Sequence, residues 1–201
     1  MKGNIIVTTK DNKPIRLYAG EKFIDETHYE INGEVHSIIR SGLLRGNHET
    51  KDDAPPTGEV LACIHWIMEF AEPTEAVVKR HTSYGLKHIV ERYSGDYVSN
   101  GAFIEAALLL GFKCSISHGS INPYFNMTFK KWDVYQKYLF WVHGRPGQTL
   151  TRGCYPQWSY GGKDRFLKKY SDMIPWFEGC MEMEGHRYRA YKQRMAAVKQ
   201  E

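Results

Sequence analysis

The sequence contains no apolar run that approaches the roughly 20 residues needed to cross a bilayer, so it predicts no transmembrane helix and no membrane partner. Its first residues, MKGNIIVTTKDNK, have neither the apolar core nor the cleavage site of a secretory signal. The four cysteines lie far apart and form no CxxC pair, which favours reduced thiols over a disulfide framework. We therefore expect a cytoplasmic protein.

Catalytic signatures are also missing: the sequence has no GxSxG, HExxH, Walker or dinucleotide-binding spacing. One string, LLRGNHE, resembles the third metal motif of the metallophosphoesterases, in which the asparagine and histidine, here Asn47 and His48, bind metal and phosphate. The two upstream motifs with which those enzymes hold two metal ions do not occur. We expect no enzyme, no catalytic or metal-binding residues and no cofactor. A metal-dependent phosphoesterase is the minor alternative.

The composition is that of a soluble globular chain, since 42% of the 201 residues are hydrophobic and 25% are charged. The first 40 residues favour short strands, with a hairpin turn at Asn32-Gly33. Residues 41–58 read as a polar connector, and helical patterns follow. We predict an α+β fold with a small N-terminal antiparallel β-sheet followed by a mainly helical body. The expected division is a β-rich subdomain over residues 1–56 and a helical body over 57–201, packed as one compact unit.

Residues 81–113 give the clearest local prediction, two helices joined by a Gly-Asp turn. Thr82 or Ser83 can cap the first helix, and Ser99 or Asn100 the second. The first helix carries the apolar stripe Leu86, Ile89, Val90 and Tyr93, at the spacing of a helix that packs one face on a core. The second helix is apolar almost all round, which predicts a central, buried element that ends at Gly111.

Other helix boundaries are predicted from single residues. A buried helix is expected over residues 59–71, followed by a second helix with Thr74 as its N-cap. Thr128 is expected to cap a helix that runs to about residue 142. Pro175 and Gly179 are expected to interrupt the helical pattern near the C-terminus.

Charge is distributed unevenly along the chain, although the net charge is only +4. Residues 1–110 contain 12 Lys and Arg against 16 Asp and Glu, whereas residues 111–201 contain 15 against 7. The basic C-terminal half favours contact with a polyanion or an acidic protein surface. The alternative is a lysine-rich surface that is simply solvated.

Two stretches supply the candidate binding residues. The irregular segment 143–162 combines glycines with arginines that can pair with phosphates and aromatic residues that can stack on bases. The tail 186–199 reads as a basic helix, which suits phosphate contact but could equally dock through its apolar side. The predicted nucleic-acid or partner-binding residues are Lys130, Lys131, Arg145, Arg152, Tyr155, Trp158, Arg187, Arg189, Lys192 and Arg194.

The central block contains, in order, YGLKH, GDYVSNG with a following phenylalanine, GF and NPYFN. This block resembles small proteins of phages and mobile elements of Gram-positive bacteria. These proteins share a YGLKH…YV(S/T)N…F…A…GF pattern, and the resemblance covers about 45 residues. Accessory proteins of mobile elements include anti-defence factors, among them anti-CRISPR proteins that bind an RNA-guided nuclease and block its DNA. The resemblance therefore implies an anti-defence role in the cytoplasm of a bacterial host cell.

We accordingly expect an anti-CRISPR inhibitor that binds a type II RNA-guided nuclease complex and blocks DNA binding or cleavage. The alternative is a DNA- or RNA-binding accessory protein of a phage or plasmid. The central helix pair is a poor helix-turn-helix, because Glu105 is the only charged residue between Gly101 and Gly111 and a carboxylate repels phosphate. Basic residues elsewhere would then carry the binding.

Overall fold

The structure is a computed structural model, and it describes residues 6–8, 14–16, 23–25, 28–31, 34–48, 53–145, 149–150 and 159–184. Over these residues the chain is α+β, with small antiparallel sheets near the N-terminus and a mainly helical body. The predicted fold class is confirmed. Within the same ranges, no helix is both long and apolar enough to cross a membrane.

The chain divides into two compact units. Unit 1 comprises Met1–Met68, Pro73–Val90 and Tyr97–Met127. Unit 2 comprises Glu69–Glu72, Glu91–Asp96 and Thr128–Glu201. The predicted boundary between residues 56 and 57 stays a prediction.

The N-terminal strands form two antiparallel sheets. Strands β1 (Ile6–Thr8) and β2 (Pro14–Arg16) pair with each other. A four-stranded sheet follows in the order β3 (Phe23–Asp25), β4 (His28–Ile31), β5 (Glu34–Ile39) and β6 (Gly42–Arg45). Ile31 lies opposite Glu34, so β4 and β5 form the predicted hairpin, although its turn residues Asn32 and Gly33 lie outside the described residues.

Strand β6 corrects one prediction, because the polar connector does not begin at residue 41. Residues 42–45 pair with β5, and Ile38 lies opposite Leu43. Both side chains are buried, and a cross-strand apolar pair of this kind stabilises a sheet. Ser41, just before the strand, and Gly42, its first residue, are typical of loops. The sequence therefore did not indicate a strand here.

The remaining elements are mainly helices. They are α1 (Thr57–Phe70), α2 (Ser83–Ser94), α3 (Asn100–Leu109), α4 (Lys130–His143) and α5 (Gly162–Lys169), then a 3-10 turn at Ser171–Met173 and helical residues 174–184. Four two-residue strands also occur: β7 (Glu72–Pro73), β8 (Cys114–Ser115), β9 (Tyr124–Phe125) and β10 (Met127–Thr128). Of these, β8 and β9 form an antiparallel pair.

The capping predictions for α2 and α3 are confirmed. The Gly85 amide donates to the Thr82 hydroxyl at 3.4 Å, and the Ala102 amide donates to the Ser99 hydroxyl at 3.3 Å. These side chains satisfy amides that the first turn of a helix leaves without partners. Helix α3 is central and mostly buried, as predicted, with only Glu105 and Leu108 partly exposed.

Helix α3 ends in a Schellman motif. Gly111 has a φ of +80°, a conformation that glycine adopts without strain. Its amide donates to the Leu108 carbonyl at 2.9 Å, and the Phe112 amide donates to the Ala107 carbonyl at 3.0 Å. These two hydrogen bonds satisfy carbonyl groups at the end of the helix, as expected for Gly111.

Thr74 does not cap a helix, so that prediction was wrong. Its amide donates to the Asn126 carbonyl at 2.8 Å, and its own carbonyl accepts from Asn126 Nδ2 at 2.7 Å. Its hydroxyl donates to the Ala76 carbonyl at 2.8 Å. The backbone of Thr74 is thus held by a residue distant in sequence, and residues 74–80 are not helical.

Two further boundary predictions were wrong. Thr128 lies in β10, and α4 begins after Phe129 without a side-chain cap. Pro175 does not break a helix but occupies the first turn of residues 174–184, where no intrahelical partner for an amide is required. Gly179 lies inside the same helix.

Unit 2 has an aromatic core. The ring of Phe70 lies within 5.0–5.8 Å of the rings of Tyr93, Trp132, Tyr135 and Trp176. Most of these pairs are edge-to-face, an arrangement that aromatic quadrupoles favour. Phe177 extends the core by stacking on Tyr138 at 4.6 Å and on Phe166 of α5 at 6.4 Å.

Candidate nucleic-acid interface

Three of the ten predicted binding residues lie in the described part of the chain. Lys130 and Lys131 are exposed in the first turn of α4, and Arg145 is exposed two residues after that helix. The other seven lie outside the described residues, so their predicted role stays a prediction: Arg152, Tyr155, Trp158, Arg187, Arg189, Lys192 and Arg194. Among the described residues, α5 carries four further exposed cations that are not among the ten.

Arg145 has a structural partner. Its Nη1 lies 3.2 Å from Glu184 Oε2, and the Tyr135 hydroxyl donates to the same carboxylate oxygen at 3.0 Å. Burial, followed by the Glu184 charge, raises the pKa of Tyr135, so the phenol stays protonated as a donor. Because Arg145 is paired with Glu184, it is a weaker candidate for phosphate contact than an unpaired cation.

Helix α5 presents a cationic face. Its exposed basic residues are Lys163, Arg165, Lys168 and Lys169, and its one acidic residue is Asp164. Residues 165, 168 and 169 share a face, because positions three and four apart are neighbours on a helix. The buried ring of Phe166, stacked at 6.4 Å on Phe177, keeps the opposite side of α5 against the core of unit 2. The cations therefore face solvent.

A tight turn immediately before α5 displays an aromatic ring. The Gly162 amide donates to the Ser159 carbonyl at 3.0 Å, and Tyr160 in the turn is 102% exposed. A β-carbon on Gly162 would lie 2.7 Å from the Trp141 ring, so the turn packs directly against α4. Gly161 has a φ of +65°, which few other residues adopt. The turn therefore holds the backbone of Tyr160 in a fixed position on the surface.

Arg165 folds back onto this turn. Its Nη2 donates to the Ser159 hydroxyl at 3.4 Å, and its Nη1 lies 3.6 Å from the position of a β-carbon on Gly161. A guanidinium group and an exposed phenol ring thus flank the same short turn. Guanidinium groups bind phosphate through paired hydrogen bonds, and aromatic rings stack on bases. This surface, Tyr160 with the four cations of α5, is named the α5 surface below.

Sequence reasoning named neither Tyr160 nor the cations of the α5 surface among the predicted binding residues. Tyr160 belongs to the segment 143–162 that is predicted to bind, whereas residues 163–169 fall in the predicted helical body. The available signal was the spacing of Arg165, Lys168 and Lys169. That spacing shows which cations share a face, but not that the face is exposed.

The phosphoesterase-like string lies at the end of β6. Nε2 of His48 is 2.9 Å from the Arg45 carbonyl oxygen, and because a carbonyl only accepts, that nitrogen must carry the proton. It is therefore not available there as a metal ligand. Among the described residues, no three His, Cys, Asp or Glu side chains are grouped so as to hold a metal ion.

The buried cysteines that the structure describes are Cys63, Cys114 and Cys180, and they form no disulfide among themselves. Burial raises the pKa of the Cys114 thiol to about 12. Because the thiolate is the nucleophile in cysteine catalysis, Cys114 is unsuited to that role near neutral pH.

Comparison with known proteins adds no assignment, since no protein-family model, curated protein or solved structure matches this chain.

Proposed function

We propose that this protein is a non-enzymatic anti-defence factor of a phage or mobile element that binds a type II RNA-guided nuclease complex and blocks DNA binding or cleavage. The observation that supports binding is the α5 surface, four exposed cations beside a fully exposed Tyr160. The nuclease complex as the target, and the bacterial cytoplasm as the location, rest on the resemblance of the central block to mobile-element proteins.

Binding of phosphates by these cations should depend on salt concentration. Each phosphate neutralised by a lysine or arginine releases condensed counterions, so that the logarithm of affinity falls with the logarithm of salt by roughly 0.7–0.9 per contact. The three cations that share a face of α5, Arg165, Lys168 and Lys169, would supply a slope of about 2 to 3. Cations outside the described residues would add to this slope.

Direct binding of DNA or RNA is the second candidate, and the turn at Tyr160 favours it. A fully exposed ring beside the Arg165 guanidinium can stack on an unpaired base without any protein partner. Sequence-specific reading by the central helix pair is disfavoured, because α3 is mostly buried and its partly exposed residues are Glu105 and Leu108. A direct binder would therefore tolerate many sequences.

A gel-shift experiment separates the two candidates. Labelled DNA and RNA are titrated with the protein across a salt series, with and without a guide-loaded type II nuclease. The inhibitor proposal predicts loss or supershift of the nuclease–DNA complex at protein concentrations that leave naked nucleic acid unshifted. The direct-binder alternative predicts that the protein shifts naked nucleic acid. The logarithm of that affinity should fall with the logarithm of salt concentration with a slope of several units. An unchanged nuclease complex together with unshifted nucleic acid would contradict both.

Two double variants, each of which removes two positive charges, test whether the α5 surface is responsible for binding. The variant Lys168→Gln with Lys169→Gln removes two charges from the α5 surface. The control, Arg92→Gln with Lys113→Gln, removes two exposed charges elsewhere. Only the first variant is expected to weaken binding by about tenfold or more at low salt.

A further inference from the structure

Lys87 is a buried lysine that lies between two tyrosine rings. Its side chain is in α2, and the residue is only 4% exposed. The ammonium group donates to the Val98 carbonyl at 3.0 Å. It lies 5.4 Å from the ring centroid of Tyr84 and 4.8 Å from that of Tyr97. Both distances are within the range of cation–π attraction.

The two tyrosines are nevertheless exposed. Tyr84 is 50% and Tyr97 is 64% exposed, so a large part of each side chain contacts solvent although Lys87 lies close to each ring. The His88 ring meets the Tyr84 ring edge-on at 4.7 Å. Contacts with Lys87 and His88 restrict the motion of these rings, which lowers the entropy that a ligand stacked on them must remove.

The geometry limits what can bind. Since both centroids lie near the same ammonium group, they are no more than about 10 Å apart. This distance matches a few stacked nucleotides of a single strand, whose rise is about 3.4 Å each. One short strand can therefore reach both rings.

The positive charge of Lys87 determines which kind of ligand can bind to the two rings. Aromatic rings that share one site can bind an ammonium ligand, but at Tyr84 and Tyr97 the chain's own Lys87 supplies that ammonium group. A second cation would be repelled, whereas a neutral planar ring can stack on the exposed faces.

Phosphate contacts are available nearby. Lys79 and Arg80 are exposed and precede Tyr84 by five and four residues. The chain can span at most about 18 Å over five residues. Their α-carbons therefore lie within about 18 Å of the α-carbon of Tyr84, a distance that a single strand of several nucleotides can span.

We propose that Tyr84 and Tyr97, positioned by Lys87, form a stacking platform for unpaired nucleobases of single-stranded nucleic acid. This Tyr84–Tyr97 platform belongs to unit 1 and is separate in sequence from the α5 surface of unit 2. The inference rests on the second candidate of the proposed function, direct binding of nucleic acid, for the class of partner. It adds that the strand is single and that bases are contacted as well as phosphates.

The test measures fluorescence anisotropy of a labelled 12-nucleotide oligo(dT) and of a DNA hairpin duplex with the same number of phosphates. Tyr84→Ala and Tyr97→Ala are each expected to weaken oligo(dT) binding by about tenfold and to leave duplex binding within about twofold. Tyr84→Phe keeps the ring and is expected to bind like the wild type. Leu61→Ala, at a half-exposed apolar position of unit 1, is the matched control.

Salt dependence distinguishes stacking from charge. The ratio of wild-type to Tyr84→Ala affinity is expected to stay constant between low and high salt, because stacking releases few ions. For Lys168→Gln with Lys169→Gln the corresponding ratio is expected to shrink as salt rises. Three results would each overturn the platform. The wild type could fail to bind oligo(dT), both alanine variants could bind it with wild-type affinity, or the variants could lose as much affinity for the duplex as for oligo(dT).

The platform and the proposed function can fail separately. If the protein inhibits a guide-loaded nuclease but the tyrosine variants bind oligo(dT) normally, the platform is wrong and the proposed function stands. If the tyrosine variants lose single-strand binding while no nuclease is inhibited, the platform stands and the inhibitor proposal is wrong.

Discussion

A β-carbon on Gly101 would lie 2.0 Å from the carbonyl oxygen of Ile39. The first turn of α3 therefore meets the β5–β6 hairpin backbone to backbone, with no room for a side chain. The Gly101 amide donates to the Arg40 carbonyl at 3.0 Å, and Asn100 Nδ2 donates to the Ser41 carbonyl at 2.9 Å. The hairpin turn is thus held by the residues that begin α3, within unit 1.

This contact predicts that Gly101→Ala is strongly destabilising. An added methyl group must displace backbone rather than a flexible side chain, which costs about 3 kcal/mol or more. Urea unfolding followed by circular dichroism measures the change. Gly85→Ala in α2 is the matched control, because its β-carbon would meet only the Thr82 hydroxyl at 4.0 Å.

The control is expected to gain up to about 1 kcal/mol from the better helix propensity of alanine. Exposed substitutions scatter by roughly 0.5 kcal/mol. If the unfolding free energy of Gly101→Ala differs from that of the wild type by less than this amount, the backbone contact is refuted.

The same region shows what the sequence could predict. The caps at Thr82 and Ser99 and the Gly111 terminus are local features, since each depends on partners three to five residues away. Sequence therefore predicted them correctly. The Asn32-Gly33 hairpin is similarly local, and the paired strands on either side of it are present.

Predictions failed where a distant residue competes for the backbone. Thr74 has the side chain of an N-cap, but Asn126, 52 residues later, binds both its amide and its carbonyl. For Lys87 no prediction was made, and it is buried with its ammonium group 4.8 Å from the Tyr97 ring, which follows α2 in the chain. Neither arrangement can be read from a local pattern, because both depend on tertiary contacts.

The candidate site was only partly predictable for the same reason. The sequence indicated that the C-terminal half is basic, but composition does not specify which cations share an exposed face. The burial of Phe166 against Phe177 decides that question for α5. The tight turn at Tyr160 depends on the packing of Gly162 against Trp141, which follows from tertiary structure alone.

The Tyr135–Glu184 hydrogen bond gives a second prediction. Glu184→Ala leaves the buried phenol without its acceptor and should cost about 1–3 kcal/mol, whereas Tyr135→Phe should cost about 1 kcal/mol. The double variant should cost clearly less than the sum of the two single variants. Arg145→Gln, the control at the exposed side of the same carboxylate, should cost less than about 1 kcal/mol. Additive effects in urea unfolding would show that the hydrogen bond contributes nothing.

Cys114 gives a pH prediction. Its thiol has a pKa of about 12 in the folded protein against 9.0 as the ordinary value, because burial disfavours the thiolate. Between these values the unfolded chain releases a proton that the folded chain retains, so the unfolding free energy falls as pH rises. At pH 10 the loss from this group is about 1.4 kcal/mol relative to pH 7.

The measurement compares urea unfolding of the wild type and Cys114→Ala at pH 7, 8, 9 and 10. The variant has no thiol at this position. Between pH 7 and pH 10 the wild type should therefore lose about 1.4 kcal/mol of unfolding free energy relative to the variant. Other alkaline groups, including Tyr135 and Tyr138, are common to both proteins and cancel in the comparison. A difference that stays constant with pH would mean that the folded thiol ionises as easily as the unfolded one.

The turn that displays Tyr160 gives a fourth prediction. A side chain on Gly162 would collide with the Trp141 ring at 2.7 Å, so Gly162→Ala should displace the turn and cost about 1–3 kcal/mol. Nucleic-acid or nuclease-complex affinity should fall as well, because Tyr160 and Arg165 would no longer be fixed together. Tyr160→Ala is the control, since removing a fully exposed ring should lower affinity without lowering stability. Unchanged affinity in both variants would remove the turn from the site.

The most direct test of the account is inhibition of target-DNA cleavage by a guide-loaded type II nuclease, measured with purified protein at several salt concentrations. The account predicts that the wild type inhibits cleavage and that Lys168→Gln with Lys169→Gln requires about tenfold more protein. It also predicts that Arg92→Gln with Lys113→Gln inhibits like the wild type. Full cleavage in the presence of excess wild-type protein, or equal inhibition by the α5 variant, would contradict it.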